Sequence, residues 1–194
     1  MSAAERREQL LDATKAIVDR QGFHAVSIEA VAREAGITRP IVYSHFHDLP
    51  RLLEALVERE GERALSQLPT VTPEDVGTAE PRDLLLAALS AYVQAAENDP
   101  ATWKLVLMPP EGAPELLRER IAEGRAAVVA QLAEAVQPLF DRGERPPDPE
   151  LTALMLSTLA DEVVRLRLTE PDRYSRERLL EHTSWFLDRL LGSR

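Results

Sequence analysis

The 194-residue sequence predicts an all-α protein of about nine helices. Leu, Ala, Glu and Arg dominate the chain, whereas aromatic residues make up only 5% of it. Apolar residues recur at helical spacing over most of its length, and no segment alternates apolar with polar residues as a half-buried strand does. We therefore expect helices joined by breaks that prolines and glycines mark.

Four helices are predicted before residue 69. The first carries an apolar stripe, and the second is short. The third ends at Phe46, and the fourth covers 48–68. Glycine favours the end of a helix, while Ser, Thr and Asp side chains favour its start. The residues that start or stop these helices are Gly22, Ser27, Gly36, Thr38 and Asp48.

The remaining chain predicts five more helices, separated by breaks rich in proline. The first break is a loop over 69–81, and others lie in the sequences MPPEGAP and DRGERPPDP. We place one domain over 1–50 and a second over 51–194, with helix 48–68 connecting them. The five helices are predicted over 82–98, 101–108, 114–141, 148–168 and from Ser175 onward.

The stretch AREAGITRPIVYSHF, residues 32–46, has the pattern of a helix-turn-helix. Ala32 is small where two helices must approach, and Gly36 allows the tight turn. Val42 and Phe46 are four residues apart and lie on one helical face, so we expect both to be buried. In such a unit the second helix enters the major groove of DNA. The alternative is a helical corner whose outer residues are merely solvated, and spacing alone leaves both interpretations open.

If the unit reads DNA, the outer side of the third helix supplies the contacts. The Arg39 guanidinium suits guanine, and Pro40 or Ile41 suits a thymine methyl group. Tyr43 and Ser44 have hydroxyl groups that suit phosphates.

The acidity of the chain, with a formal net charge of −10, lies mostly outside this unit. Residues 27–46 contain two arginines and two glutamates, which cancel. Backbone N–H groups at helix starts and side-chain hydroxyls bind phosphate without a basic patch. Arg6 and Arg7 form either an N-terminal arm or a solvated first turn.

Residues 10–56 resemble the N-terminal DNA-binding domain of the TetR family of transcriptional regulators. The features that carry the resemblance are the pair Gly22–Phe23, the A-x-x-x-G-I of residues 32–37 and the Y-x-H-F of residues 43–46. Leu49 stands where the family commonly has a lysine that reaches a phosphate, so Arg51 or the helix start has to replace that contact. The resemblance implies DNA contacts from Ser27, Thr38, Arg39, Pro40, Tyr43 and His45.

The resemblance also implies a C-terminal domain that senses a ligand and forms a homodimer. We expect a small, mostly apolar effector, bound among large residues near the helix breaks. The alternative for each of these residues is plain core packing. The candidate ligand-binding residues are Tyr92, Trp103, Leu107, Met108, Leu117, Ile121, Phe140 and Arg165.

The last two helices fit a four-helix dimer interface across a two-fold axis. Small residues on the first of them would permit close approach, and packing within one chain is the alternative. The candidate interface residues are Leu151, Ala153, Leu154, Ser157, Ala160, Leu179, Phe186, Leu187 and Leu190.

Other classes of function find no support in the sequence. Without cysteine, and with His45 and His47 lacking a third ligand nearby, we expect no metal site and no cofactor. No catalytic motif is present, so we expect no enzyme. The N-terminus is charged and no apolar run is long enough for a membrane span, which favours a cytoplasmic protein.

The resulting hypothesis is a homodimeric repressor released from a palindromic DNA operator by a small molecule. Activation in place of repression stays open. The alternative function is a helical ligand-binding or interaction module that does not bind DNA.

Overall fold

A computed structural model describes residues 1–68, 80–109, 113–140 and 148–190. Within these ranges it contains nine α-helices, one short 3-10 turn and no strand, which confirms the all-α prediction. Most of the predicted loop 69–81 lies outside the described residues. The helices are α1 (Ala3–Gln21), α2 (Ile28–Glu34), α3 (Arg39–Phe46), α4 (Leu49–Gln67), α5 (Pro81–Asn98), α6 (Pro100–Leu107), α7 (Glu115–Phe140), α8 (Pro149–Thr169) and α9 (Arg176–Leu190).

Side chains cap the starts of α2, α4 and α8, and two of these caps, Ser27 and Asp48, were predicted. The Ser27 hydroxyl accepts a hydrogen bond from the Ala30 N–H at 3.1 Å. Asp48 accepts from the N–H of Arg51 at 2.9 Å. Asp148 caps α8 in the same way. Local sequence therefore sets these helix boundaries.

Thr38 precedes α3 as predicted, but its side chain makes no capping hydrogen bond. An N-cap side chain accepts from the second or third helical N–H. In α3 the second residue is Pro40, which has no N–H, and the Ile41 N–H donates to the Thr38 carbonyl at 3.0 Å. The Thr38 hydroxyl is therefore not used at the helix start.

The N-terminus begins as a regular helix, which corresponds to the second of the two alternatives for Arg6 and Arg7, a helical first turn. The Ser2 N–H donates to the Glu5 carboxylate at 2.6 Å, and the Glu5 N–H donates to the Ser2 hydroxyl at 3.2 Å. This reciprocal capping box starts α1 at Ala3. Arg6 and Arg7 consequently lie inside the first turns of α1.

The chain divides into two compact units. One comprises residues 1–66 and 101–123, and the other residues 67–100 and 124–194. The predicted domain boundary at residue 50 stays a prediction.

The core of the first unit joins α1 to α4 with α6 and the start of α7. The side chains of Leu10, Val31, Val42, Leu52 and Leu56 are all 0% exposed. Burying each such side chain stabilises the fold by about 1.5–3 kcal/mol. The helix-turn-helix is thus part of a larger core.

In the second unit, α5 packs against α8 and α9. The side chains of Val93, Ala96, Ala153 and Val164 in this unit are 0% exposed. Arg176 ties α9 to α5 by donating to the Ser90 carbonyl at 3.2 Å. None of the described helices is long and apolar enough to cross a membrane.

Candidate nucleic-acid interface

The turn between α2 and α3 has the geometry that a helix-turn-helix requires. Gly36 adopts a left-handed φ of +67°, a conformation that residues with a Cβ rarely adopt. The Ile37 N–H donates to the Ala32 carbonyl at 2.9 Å, which closes the end of α2. Ala32 itself is only 3% exposed, because the helices meet there.

The third helix has a buried side and an exposed side, as predicted. Val42 is 0% exposed and Phe46 3%, so both belong to the core. Tyr43 is 49% exposed and Ile41 is 37% exposed, so both side chains are accessible to DNA. The remaining candidates, Ser27, Thr38, Arg39, Pro40 and Ser44, are exposed, and His45 is half-buried. Their roles in DNA binding stay predictions.

Two polar side chains on this surface already have partners. Arg39 Nη1 lies 3.6 Å from Glu29 Oε2, and both side chains are more than half exposed, at 62% and 71%. An exposed pair of this kind is worth about 1 kcal/mol or less, so Arg39 can exchange Glu29 for a base. The Ser44 hydroxyl donates to the Ile41 carbonyl at 2.8 Å, so its proton is engaged within the helix.

Of the two candidates for a phosphate contact at the start of α4, the helix start is occupied by a carboxylate, and Arg51 stays a prediction. Leu49 is half-buried against the core of the first unit. Asp48 places a carboxylate on the first N–H groups of α4, so this helix start repels rather than attracts an anion. Arg51 is 70% exposed and pairs with Glu54 at 2.9 Å.

Comparison with known proteins agrees with this geometry. The family model described as "Bacterial regulatory proteins, tetR family" matches residues 10–56. Residues 10–56 are thus similar to the DNA-binding region of TetR-family regulators. Its relatives include the transcriptional activator FasR of Mycolicibacterium smegmatis, 29% identical over 53% of this chain, and the regulator BetI of Yersinia pestis, 36% identical over 36%. The matches span 45% and 37% of those relatives.

Solved structures of TetR-type regulators share the fold over nearly the whole chain. A TetR-like regulator from Rhodococcus sp. RHA1 is 21% identical, with full coverage of both chains and a TM-score of 0.77. SmeT in complex with triclosan is 24% identical, covering 96% of this chain and 91% of SmeT, with a TM-score of 0.73. FadR from Bacillus subtilis in complex with stearoyl-CoA is 20% identical, covering 96% and 97%, with a TM-score of 0.67.

The first unit contains a buried polar cluster that the sequence analysis did not predict. Glu60 of α4 is 1% exposed, and its carboxylate lies 2.8 Å from the Lys15 ammonium of α1. Thr102 of α6 donates its hydroxyl proton to the same carboxylate. Arg59 pairs with Glu60 at 2.7 Å and also with acidic side chains of α1. This Glu60 cluster joins three helices of the first unit.

The cations and hydrogen-bond donors around Glu60 favour its ionised form more than burial disfavours that form. Burial alone raises the pKa of Glu60, but hydrogen bonds from Lys15 and Thr102 and the charges of Lys15 and Arg59 lower that pKa below its ordinary value. The carboxylate is therefore ionised at neutral pH.

A second polar cluster lies in the second unit. The Tyr92 hydroxyl donates to Asp161 at 3.0 Å, and Arg125 Nη2 lies 3.3 Å from the same carboxylate. Burial raises the pKa of Tyr92 above its ordinary value, and the neighbouring Asp161 charge raises that pKa further. Burial also raises the pKa of Asp161. Arg165, the other predicted ligand-binding residue here, pairs with Glu162.

The remaining predicted ligand-binding residues lie in the first unit, except Phe140, whose side chain lies outside the described residues. Leu117 is 3% exposed and belongs to the core, and Ile121 packs against that core. For these two, core packing, the alternative expected from the sequence, is what the structure contains. Trp103 is buried, while Leu107 and Met108 are half-buried. The pocket assignment stays a prediction.

An apolar face lies exposed on α8 and α9. It contains side chains that are 39–67% exposed, well above what a monomer core would leave open. Ala153, Ser157, Leu179 and Leu187 are instead buried within one protomer, and Ala160 is half-buried. The Leu190 side chain lies outside the described residues. The residues of this apolar face are Leu151, Leu154, Met155, Trp185 and Phe186.

Proposed function

We propose that this protein is a homodimeric transcriptional regulator of the TetR family, a repressor that a small molecule releases from a palindromic operator. The observation that carries the proposal is the helix-turn-helix with its exposed third helix. Val42 and Phe46 anchor that helix in the core, while Arg39 and Tyr43 face outward. A helix supported in this way presents side chains to base edges without losing its own packing.

Dimerisation is supported by the apolar face on α8 and α9. Large apolar side chains exposed to water, such as Trp185, Phe186 and Met155, are costly for a monomer and typical of an interface core. Two copies joined through this face form a four-helix interface with two-fold symmetry. A palindromic operator matches that symmetry, since the helix-turn-helix of each protomer reads one half-site.

The effector is supported by analogy and by chemistry. Triclosan and stearoyl-CoA, bound by SmeT and by the Bacillus subtilis FadR, both carry large apolar parts. In this chain the second unit offers the hydrogen-bonded pair of Tyr92 and Asp161 as polar groups. We propose a mostly apolar effector whose binding shifts the population toward a state that no longer fits the operator spacing. The protein then acts in the cytoplasm, where its operator is.

Gel-shift titration of the full-length protein tests the proposal. DNA flanking its own gene is titrated at low salt, and a scrambled duplex of equal length serves as the control. Binding to one palindrome, with two protomers per duplex, supports the regulator. A folded dimer that binds neither duplex overturns the proposal and favours a helical module without DNA binding. Reporter expression with and without the gene separates repression from activation.

A further inference from the structure

Arg7 is held at the end of the recognition helix by an aromatic ring. Its guanidinium carbon lies 4.6 Å from the centroid of the Phe46 ring, and Phe46 is the last residue of α3. Because the capping box at Ser2 starts α1 as a regular helix, the Arg7 side chain leaves a fixed backbone. The cation–π contact further fixes its guanidinium.

The charge of Arg7 is not neutralised by its partner. Among the described residues, no carboxylate pairs with this guanidinium, whose contact is the Phe46 ring. An aromatic ring orients a cation and leaves its hydrogen-bond donors available, whereas a carboxylate uses them. Three exposed arginines of the first unit pair with glutamates instead. These pairs are Arg20 with Glu34, Arg39 with Glu29 and Arg51 with Glu54.

We propose that Arg7 binds a phosphate of the operator backbone and that Phe46 positions it for this contact. The eight residues of α3 span about 12 Å, close to the width of the major groove of about 12 Å. An end of the helix therefore comes near the phosphates that flank the groove, and the C-terminal end of a recognition helix contacts the backbone in homeodomains. A guanidinium binds phosphate through two parallel hydrogen bonds.

This inference rests on the proposed function. It adds a cation that binds phosphate, because residues 27–46 have no net charge. At the start of α4, Asp48 places a carboxylate on the helix N–H groups, Leu49 is half-buried, and the nearest cation, Arg51, is paired with Glu54. Arg7 supplies a cation from a different helix, at the junction where α3 ends.

Salt titration of DNA binding tests the proposal with three variants of the full-length dimer. Arg7→Gln removes the charge, and Arg7→Lys keeps it but loses the paired geometry. Arg33→Gln is the matched control, because Arg33 is also exposed and has no carboxylate partner among the described residues, yet no ring holds it. Dissociation constants are measured on a duplex selected from random sequences and on an unselected duplex, at several salt concentrations.

We expect Arg7→Gln to weaken binding to both duplexes about tenfold or more, since a phosphate contact carries no sequence information. The slope of log affinity against log salt should fall by about 1 per protomer. Arg7→Lys should keep the slope and bind with intermediate affinity, and Arg33→Gln should stay near wild type. Unchanged thermal midpoints show that the fold is intact.

The proposal is overturned if Arg7→Gln and Arg33→Gln have the same affinities and slopes. If the wild-type dimer binds the selected duplex but Arg7→Gln binds it equally well, this inference alone fails. If the wild-type dimer binds no DNA at low salt, both the inference and the proposed function fail.

Discussion

The ammonium nitrogen of Lys15 on α1 lies 2.8 Å from Glu60 Oε2 on α4, at a carboxylate that is 1% exposed. Removing one member of a buried pair leaves the other charged and poorly solvated. The exposed pair of Arg20 and Glu34 has a similar distance, 2.7 Å, but both side chains reach water. We therefore expect two ion pairs of similar length to contribute unequally to the free energy of unfolding.

Lys15→Met should lower the free energy of unfolding by about 3 kcal/mol, because Glu60 keeps its charge and loses a hydrogen-bond donor. Arg20→Met should lower that free energy by less than about 1 kcal/mol. Urea denaturation of both variants at neutral pH measures the difference. Equal losses in the two variants would show that the Glu60 cluster contributes no more than an exposed pair.

Glu60→Gln and Asp161→Asn should respond to pH in opposite directions. The pKa of Glu60 is lowered in the folded protein from 4.5, so its contribution to stability is present above pH 4.5 and is lost as the pH falls through the folded value. Burial raises the pKa of Asp161 above 3.8, so its contribution favours the fold at low pH and is lost as the pH rises through the folded value.

Unfolding measured between pH 3 and pH 7 distinguishes these responses. The loss of stability in Glu60→Gln should shrink on acidification. Asp161→Asn should gain stability relative to wild type as the pH rises. A loss in Glu60→Gln that stays constant over this range would contradict the assigned direction of its pKa.

The sequence predicted features that neighbouring residues determine. Ser27 and Asp48 cap their helices because the N–H groups they bind are three residues away. Thr38 did not follow the same rule, because Pro40 removes one of the N–H groups that its side chain would bind.

The Glu60 cluster could not be predicted in this way. Lys15 and Thr102 are 87 residues apart, and no local pattern brings them together. In the sequence, Glu60 cannot be distinguished from an exposed polar residue of a helix. Its burial results from the packing of α1 and α6 around α4. The ion pair between Arg39 and Glu29 also depends on how α2 and α3 cross.

Tyr43→Phe should weaken operator binding about tenfold or more per protomer, because it removes one hydrogen bond to a charged phosphate. Tyr43→Ala should abolish binding while the dimer persists. Tyr174→Phe removes a hydroxyl from the segment between α8 and α9 and is the matched control. Fluorescence anisotropy on the operator measures all three, and wild-type affinity in Tyr43→Ala would exclude Tyr43 from the interface.

Leu154→Glu should dissociate the dimer, since it places a charge in the apolar face on α8 and α9, where Leu154 is 41% exposed. Leu65→Glu changes a leucine that is 47% exposed on α4 and should leave the dimer intact. Sedimentation velocity over a concentration series gives the masses. A Leu154→Glu dimer as stable as the control would place the interface elsewhere.

Operator affinity should depend weakly on salt. Residues 27–46 have no net charge, so hydroxyls and backbone N–H groups carry many of the phosphate contacts. We expect a slope of about 4 or less for the dimer, compared with about 10 for a strongly basic binder. A titration of log affinity against log salt that yields a slope near 10 would contradict this.

The pairing of Arg39 with Glu29 also bears on how such a regulator finds its site. Genomic DNA offers a vast excess of wrong sequences, and a basic protein spends most of its time bound to them. A reading surface that carries its own carboxylates holds random DNA loosely, so a larger share of the molecules remains free. For the regulator proposed here, we expect few copies per cell to be enough to keep one operator occupied, and the effector to compete with few DNA-bound molecules.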